Sequence, residues 1–263
     1  SYTAGSAALE NHGDISASAS TTYAGYSWAT AAIVSGEQDS HAYNDGSIEA
    51  YAGAELGSAK AYGAFLTGAD FASTTNAGDI IAVANADGGV AFAVGSHAYA
   101  LAQTYTQGAC NYYSPYGNCY GYDPGTYTLV GGVSELNNEA GGLISGYASA
   151  DAGVADAYGS VVIAAYGATT TNAGSIVAYA SAEGGLANAV GSVTNSFYGL
   201  PELHNSGIIY AGAYGEVATA VGASVIGTYE VIVDNAEGGE IIAAAYGPDA
   251  AATLIKDQLA RNP

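Results

Sequence analysis

The residues able to do chemistry are few. Four histidines, His12, His41, His97 and His204, are scattered. None stands in a His-x-x-x-His or Cys/His spacing, which metal-binding sites use to bring ligands to one face. No Gly-x-Ser-x-Gly elbow occurs, and the glycine-rich turns lack the lysine of a phosphate loop. Carboxylates at Asp87, Glu183 and Glu237 could in principle form an acid/base pair for glycoside hydrolysis. They recur at equivalent turns, however, as solvated turn residues do. The sequence therefore predicts no catalytic set and no enzyme. Calcium is the one cofactor the acidic Gly-Gly turns suit, since they offer carboxylate and carbonyl oxygens. The nonapeptide pattern of a calcium β-roll is absent.

Two further groups have the composition of a site. Cys110 and Cys119 bracket NYYSPYGN, a spacing that suits a disulfide closing a turn-rich loop in an oxidising compartment. Around them cluster Tyr112, Tyr113, Tyr116, Tyr120 and Tyr122, an aromatic contact surface for a subunit or a glycan. Near the C-terminus, Lys256, Leu259 and Arg261 form the second candidate, a segment for assembly.

Charge narrows the partners. The chain of 263 residues carries 24 acidic and three basic side chains, a formal net charge of −21. Nucleic acid, which is held by basic groups on phosphates, is not expected as a partner, and an anionic membrane surface is disfavoured for the same reason. No apolar run is long enough to span a bilayer as a helix. Ser1 fits a mature start after removal of a leader.

The elements that position these residues are repeats. Asn172–Ser192 reads NAGSIVAYASAEGGLANAVGS, and Asn76–Ser96 reads NAGDIIAVANADGGVAFAVGS. The Asn phrase recurs at Asn11, Asn44, Asn76, Asn138, Asn172, Asn205 and Asn235, at intervals of 33, 32, 62, 34, 33 and 30 residues. Period-two alternation puts Ile176, Ala178, Ala180 and Ala182 on one face of a strand and Val177, Tyr179 and Ser181 on the other. The matching row of Ile15, Ile48, Ile80, Ile144, Ile176, Ile209 and Ile241 predicts a continuous inner spine. A second strand, Gly-x-Ala-x-Ala-Val/Tyr-Gly, turns Ala91, Ala93, Ala187 and Ala189 inward. A third is aliphatic or aromatic, as in Ser160–Ala165. The corner asparagines fill left-handed positions or bond to one another as a ladder.

These features predict an all-β fold, a parallel β-helix of about eight rungs. The doubled interval implies a degraded rung near Gln107, with Gly125–Gly131 as its surviving strand. The expected division is an N-terminal cap or linking segment at 1–10, a solenoid at 11–247 with the loop at 110–119, and a C-terminal cap or linking segment at 248–263. Thr253–Arg261 suits a short helix or end cap.

The Asn-x-Gly-x-Ile phrases with alternating alanine, from about Asn11 to Gly247, resemble the Ala/Gly-rich repeat regions of bacterial autotransporter passengers and filamentous-haemagglutinin-like adhesins. The resemblance implies a right-handed parallel β-helix, secretion and surface display. The membrane β-barrel of an autotransporter is absent from this sequence, and 33 residues is a long turn for such helices. The leading expectation is a non-enzymatic, extracellular structural subunit that assembles with copies of itself into a filament or matrix. The alternative is a surface adhesin or glycan-binding module using the tyrosine-rich loop. An ice-binding solenoid ranks third, because the outward row Ser18, Tyr51, Val83, Tyr147, Tyr179, Gly212, Ala244 lacks a regular array of short hydroxyl residues.

Overall fold

A computed structural model describes residues 5–259 apart from 23–24, 107–109, 114–118, 123–125 and 229. Side chains of 102–130 and 256–259 lie outside the described set. The chain is a parallel β-solenoid of about seven turns with no helix among the described residues. Each turn has a short strand that ends at the corner asparagine and a long strand that follows it. The short strands are Ala7–Asn11, Asp39–Asn44, Phe71–Asn76, Val133–Asn138, Gly167–Asn172, Leu200–Asn205 and Ile232–Asn235. They stack in that order as one parallel sheet. The long strands Ser47–Gly68, Asp79–Ala100, Leu143–Ala164, Ser175–Ser196 and Ile208–Gly227 stack beside them. In the first and last turns the long strand is split, into Asp14–Thr21 with Gly25–Ser35 and Glu240–Tyr246 with Asp249–Leu259.

Register holds every repeat in line. Ile48 pairs with Ile80, Ile80 with Ile144, Ile144 with Ile176 and Ile176 with Ile209. All five side chains are sealed from solvent, and Ile15 and Ile241 end the row partly buried. The inward alanines of both predicted strands are buried as expected.

The long strand bends twice. The outer bend falls at the acidic turn, which reads Asp-Gly-Gly or Glu-Gly-Gly in two turns and Glu-Leu-Gly and Asp-Ala-Gly in two others, where Gly57 and Gly153 take φ of +128° and +129°. That conformation strains any L side chain. The inner bend falls at Gly63, Gly95, Gly159, Gly191 and Gly222. There the alternation slips by one residue, so Gly191 and Ser192 are both buried. A Cβ on Gly191 would lie 2.4 Å from the Gly222 carbonyl oxygen and 2.6 Å from the Ile209 Cγ2. The apex is therefore pressed inward, onto the isoleucine row of the next turn. This pinch divides the interior. On one side lies a compartment lined by alanine with an occasional glycine. On the other, Ile, Leu, Val and Ala mix with buried Ser and Thr.

Three expectations need correction. The doubled interval hides no rung: Phe71–Asn76 pairs directly with Val133–Asn138, and Asp79–Ala100 with Leu143–Ala164. Thr126–Val130 instead pairs antiparallel with Ala102–Thr106, so its backbone groups are spent outside the parallel column. The column thus has seven corner asparagines and about seven turns, one fewer than the intervals suggested. Second, of the short helix or end cap expected at Thr253–Arg261 the helix does not form: the described part belongs to a strand, Asp249–Leu259, paired in parallel with Val217–Gly227. The open edge of the preceding turn offers every backbone group a partner, which outweighs weak helical periodicity. Third, the column begins at Ala7, inside the segment expected as a cap, because Ala7–Asn11 pairs with Ser40–Asn44.

Candidate functional site

The corner asparagines form a ladder with a direction. Each Nδ2 donates to the Oδ1 of the next: Asn11 to Asn44 (2.7 Å), Asn44 to Asn76 (2.8 Å), Asn76 to Asn138 (2.9 Å), Asn138 to Asn172 (2.8 Å), Asn172 to Asn205 (2.8 Å) and Asn205 to Asn235 (2.7 Å). Each Nδ2 also reaches its own corner carbonyl, as Asn76 does to Gly78 O at 2.8 Å, and a carbonyl of the next turn. From Asn44 to Asn205 the side chains are fully buried. Buried amides need such partners, because an orphaned one costs roughly 1–3 kcal/mol. The ladder is a structural device, and it accounts for an asparagine at the same corner of every turn.

The histidines do not gather. His12 Nδ1 lies 2.8 Å from Asp45, His41 Nδ1 lies 2.8 Å from Ser73 Oγ, and His204 Nε2 lies 3.0 Å from Glu202. The first pair stands at a corner and the other two on short strands far apart along the column. The acidic turns also stay apart. Glu183 lines a shallow cavity of about 310 Å³ with Tyr214, Glu216 and Pro248, and Asp87 lines one of about 230 Å³ with Tyr51, Glu55 and Asn85. Glu237 is exposed at the last corner. Among the described residues no three His, Cys, Asp or Glu side chains converge as metal ligands would.

The tyrosine-rich loop leaves the column as two antiparallel pairs. Cys110–Tyr113 pairs with Cys119–Tyr122, with Cys110 opposite Tyr122 and Cys119 opposite Tyr113. The expected Cys110–Cys119 bond and the contact surface of Tyr112, Tyr113, Tyr116, Tyr120 and Tyr122 concern side chains outside the described set. So do the side chains of Lys256 and Leu259, whose backbones pair with Ser224 and Gly227, and all of Arg261.

On the column itself, the outward row of strand one stands in the expected register. Tyr147 and Tyr179 stack at 5.3 Å with rings 10° apart. Tyr179 is raised in pKa by burial, then by the neighbouring phenols Tyr147, Tyr210 and Tyr214.

A second aromatic set was not foreseen. Outside each inner bend, side chains from both arms of the long strand meet in a groove that follows the column. Tyr62 packs edge-on against Phe65 across Gly63 (5.6 Å), and Phe65 packs edge-on against His97 (5.0 Å). Tyr62, Phe92, Val94, His97, Tyr158, Val161, Ile163 and Val193 line a cavity of about 190 Å³ there. Burial pushes His97 down to about 4 from its ordinary 6.5, so it is neutral at neutral pH. Neither ring nitrogen of His97 has a hydrogen-bond partner. Burial raises Tyr62, and burial followed by the Asp156 charge raises Tyr158. The signal for this groove was present as aromatic residues flanking the apex glycines, but they do not repeat from turn to turn.

No family model matches the chain, and no similar curated protein or solved structure was found. No described helix is long and apolar enough to cross a membrane.

Proposed function

We infer that the chain is a non-enzymatic, extracellular structural subunit that assembles end to end into a filament or matrix, in the manner of secreted repeat proteins of the adhesin type. The observation that carries this reading is the polarity of the asparagine ladder. Donation runs one way, so the two end turns are left complementary. Among the described residues, Asn235 Nδ2 donates only to the Gly239 carbonyl, while Asn11 Oδ1 accepts only from the Gly13 N–H. Setting Ile232–Asn235 of one copy beside Ala8–Asn11 of the next continues the ladder, covers Ile241 with Ile15 and pairs the free strand edges. Such a head-to-tail contact does not close on itself, and open fibres follow.

The same register places Asp234 beside Glu10 and Glu240 beside Asp14, all four exposed. Like charges there oppose assembly at low ionic strength. Salt or calcium, which screens or bridges the carboxylates, favours the fibre.

The intact protein is to be concentrated in low salt, in 0.15 M salt and with added calcium, then imaged and sedimented. Fibres with an axial repeat of about 34 Å, seven turns at about 4.8 Å each, are expected, and more of them with added ions. A protein that stays monomeric in all three conditions overturns the reading. A second reading, a surface adhesin that acts through its tyrosine-rich loop, is favoured by one observation: Ala102–Thr106 with Thr126–Val130, and Cys110–Tyr113 with Cys119–Tyr122, form antiparallel pairs outside the parallel sheets.

A further inference from the structure

We propose that the groove outside the inner bend is a cleft for an extended, uncharged glycan chain, laid along the column axis on the rings of Trp28, Tyr62, Phe92 and Tyr158. None of its rings belongs to the loop, and three of the four lie away from the end contact; Trp28 stands on the first turn, whose strand edge that contact also uses. Its rings come one per turn from four successive turns and alternate between two register rows. Trp28 and Phe92 stand in the row that also holds Lys60, Asp156 and Asn188; Tyr62 and Tyr158 stand two residues further on. Centroid separations along the zigzag are 6.2 Å for Trp28–Tyr62, 5.8 Å for Tyr62–Phe92 and 5.7 Å for Phe92–Tyr158. An extended chain of hexopyranose rings advances by one ring in nearly the spacing of one strand in a stack. Each sugar can therefore set its flat C–H face on one protein ring.

The polar groups lie where such a chain needs them. Asn188 Nδ2 donates to Asp156 at 2.8 Å, which fixes the carboxylate beside the rings as an acceptor for sugar hydroxyls and leaves the amide its oxygen as acceptor and its second N–H as donor. Lys60 sits 5.9 Å over Phe92, on a face a sugar would take, and its flexible stem lets it swing aside and donate from the edge of the groove. Trp28 is held in place by its Nε1–H donating to Thr30 Oγ1 at 2.9 Å, so its ring needs little ordering on binding. The floor of Val94, Val161, Ile163 and Val193 is apolar, and the neutral His97 contributes the one orphaned donor and acceptor pair in it.

Charge selects among polymers. A net charge of −21 repels a polyanionic chain. Lys60 and Asp156 offset one another within the row, so the groove offers no compensating field. A second copy of this chain would bring the same −21 with it.

Trp28 is the single tryptophan and is 66% exposed, so it reports the groove directly. The intact protein is titrated with cellohexaose and with chitohexaose, with a galacturonate oligomer as the charged comparison. Expected are a saturable blue shift of Trp28 emission with at least one neutral hexamer and none with the charged one. A disaccharide, too short to reach all four rings, should bind at least tenfold more weakly. Phe92→Ala should weaken the hexamer at least tenfold, while Tyr147→Ala on the separate tyrosine row leaves it unchanged. Should Phe92→Ala fail to fold, Trp28→Ala read by calorimetry serves instead, because that side chain stands on the surface. No response to either neutral hexamer overturns the proposal. So does full-strength binding by the ring variants, which moves the site elsewhere, for instance to the tyrosine-rich loop. The titrations are run at a protein concentration at which sedimentation shows a monomer, so that a shift produced by end-to-end assembly is not counted as glycan binding.

Discussion

The two interior compartments are built from the same strands and differ in what they tolerate. In the alanine compartment the rows hold alanine with an occasional glycine: Ala52, Ala84, Ala148, Ala180 and Ala213 stack in one line, and Ala61, Ala93, Ala157, Ala189 and Ala220 in another, while Gly146 and Gly215 interrupt two more. Across the pinch, one row reads Leu9, Ala42, Thr74, Leu136, Thr170, Leu203, Val233, and another reads Val34, Leu66, Ala98, Val162, Thr194, Val225. Two walls that meet through methyl groups leave no slack for a larger side chain. Each methyl gains only about 0.8 kcal/mol on burial, but alanine loses no rotamer freedom in return. The wider compartment holds longer side chains and exchanges volume between rows. Stiffness therefore comes from one compartment, and freedom of sequence from the other.

The pinch that separates them offers the sharpest way to break the arrangement. Gly191→Ala sets a methyl against a backbone carbonyl and the Ile209 side chain, and neither the stacked backbone nor the spine can retreat. The expected loss is more than about 3 kcal/mol, read as a collapse of the urea midpoint. A variant that keeps its midpoint would show the apex to be loose.

A matched pair of substitutions tests the compartments themselves. Ala189→Leu and Ala98→Leu bury the same added atoms from positions that are both sealed at present. The first should cost about 1–3 kcal/mol by overpacking. The second enters a row that already accepts Leu66 and should cost about 1 kcal/mol or less. Equal losses by denaturant titration would mean that the two compartments are equally tight.

This contrast also explains what the sequence disclosed. The isoleucine spine, the inward alanines and the corner asparagines repeat because their surroundings repeat, so a single chain reveals them. The short strand before each asparagine was invisible as a repeat, because FASTTN, VSELNN, GATTTN and LPELHN share only alternation and their last residue. Gly125–Gly131 misled because alternation is the same in an antiparallel pair as in a parallel rung; only its partner tells them apart, and the partner is not local. At the C-terminus, Thr253, Leu254 and Ile255 obeyed the waiting strand edge and not their own spacing. The groove escaped notice because its rings alternate between two rows, which no row-by-row comparison detects.

The smallest expected effect concerns the polar residues of the wider compartment. Thr170 and Thr194 are both fully buried, and their hydroxyls meet at 2.8 Å. Each sits in a row that holds Leu or Val in adjacent turns, so the shape of the site does not demand threonine. A hydroxyl that loses its partner in such a place costs roughly 1–3 kcal/mol, whereas removing both partners with shape retained is nearly neutral. Thr170→Val alone should lower stability by about 1 kcal/mol, since it strands the Thr194 hydroxyl. Adding Thr194→Val should restore most of the loss, giving a coupling of about 1 kcal/mol in the cycle. The double variant keeps volume and trades a hydrogen bond for two apolar contacts, which the surrounding Leu136, Val162, Leu203 and Val225 readily accept. If the double variant instead falls as far as the two single losses together, the pair acts through something other than mutual satisfaction. The freedom of these rows would then be a matter of polarity as well as volume.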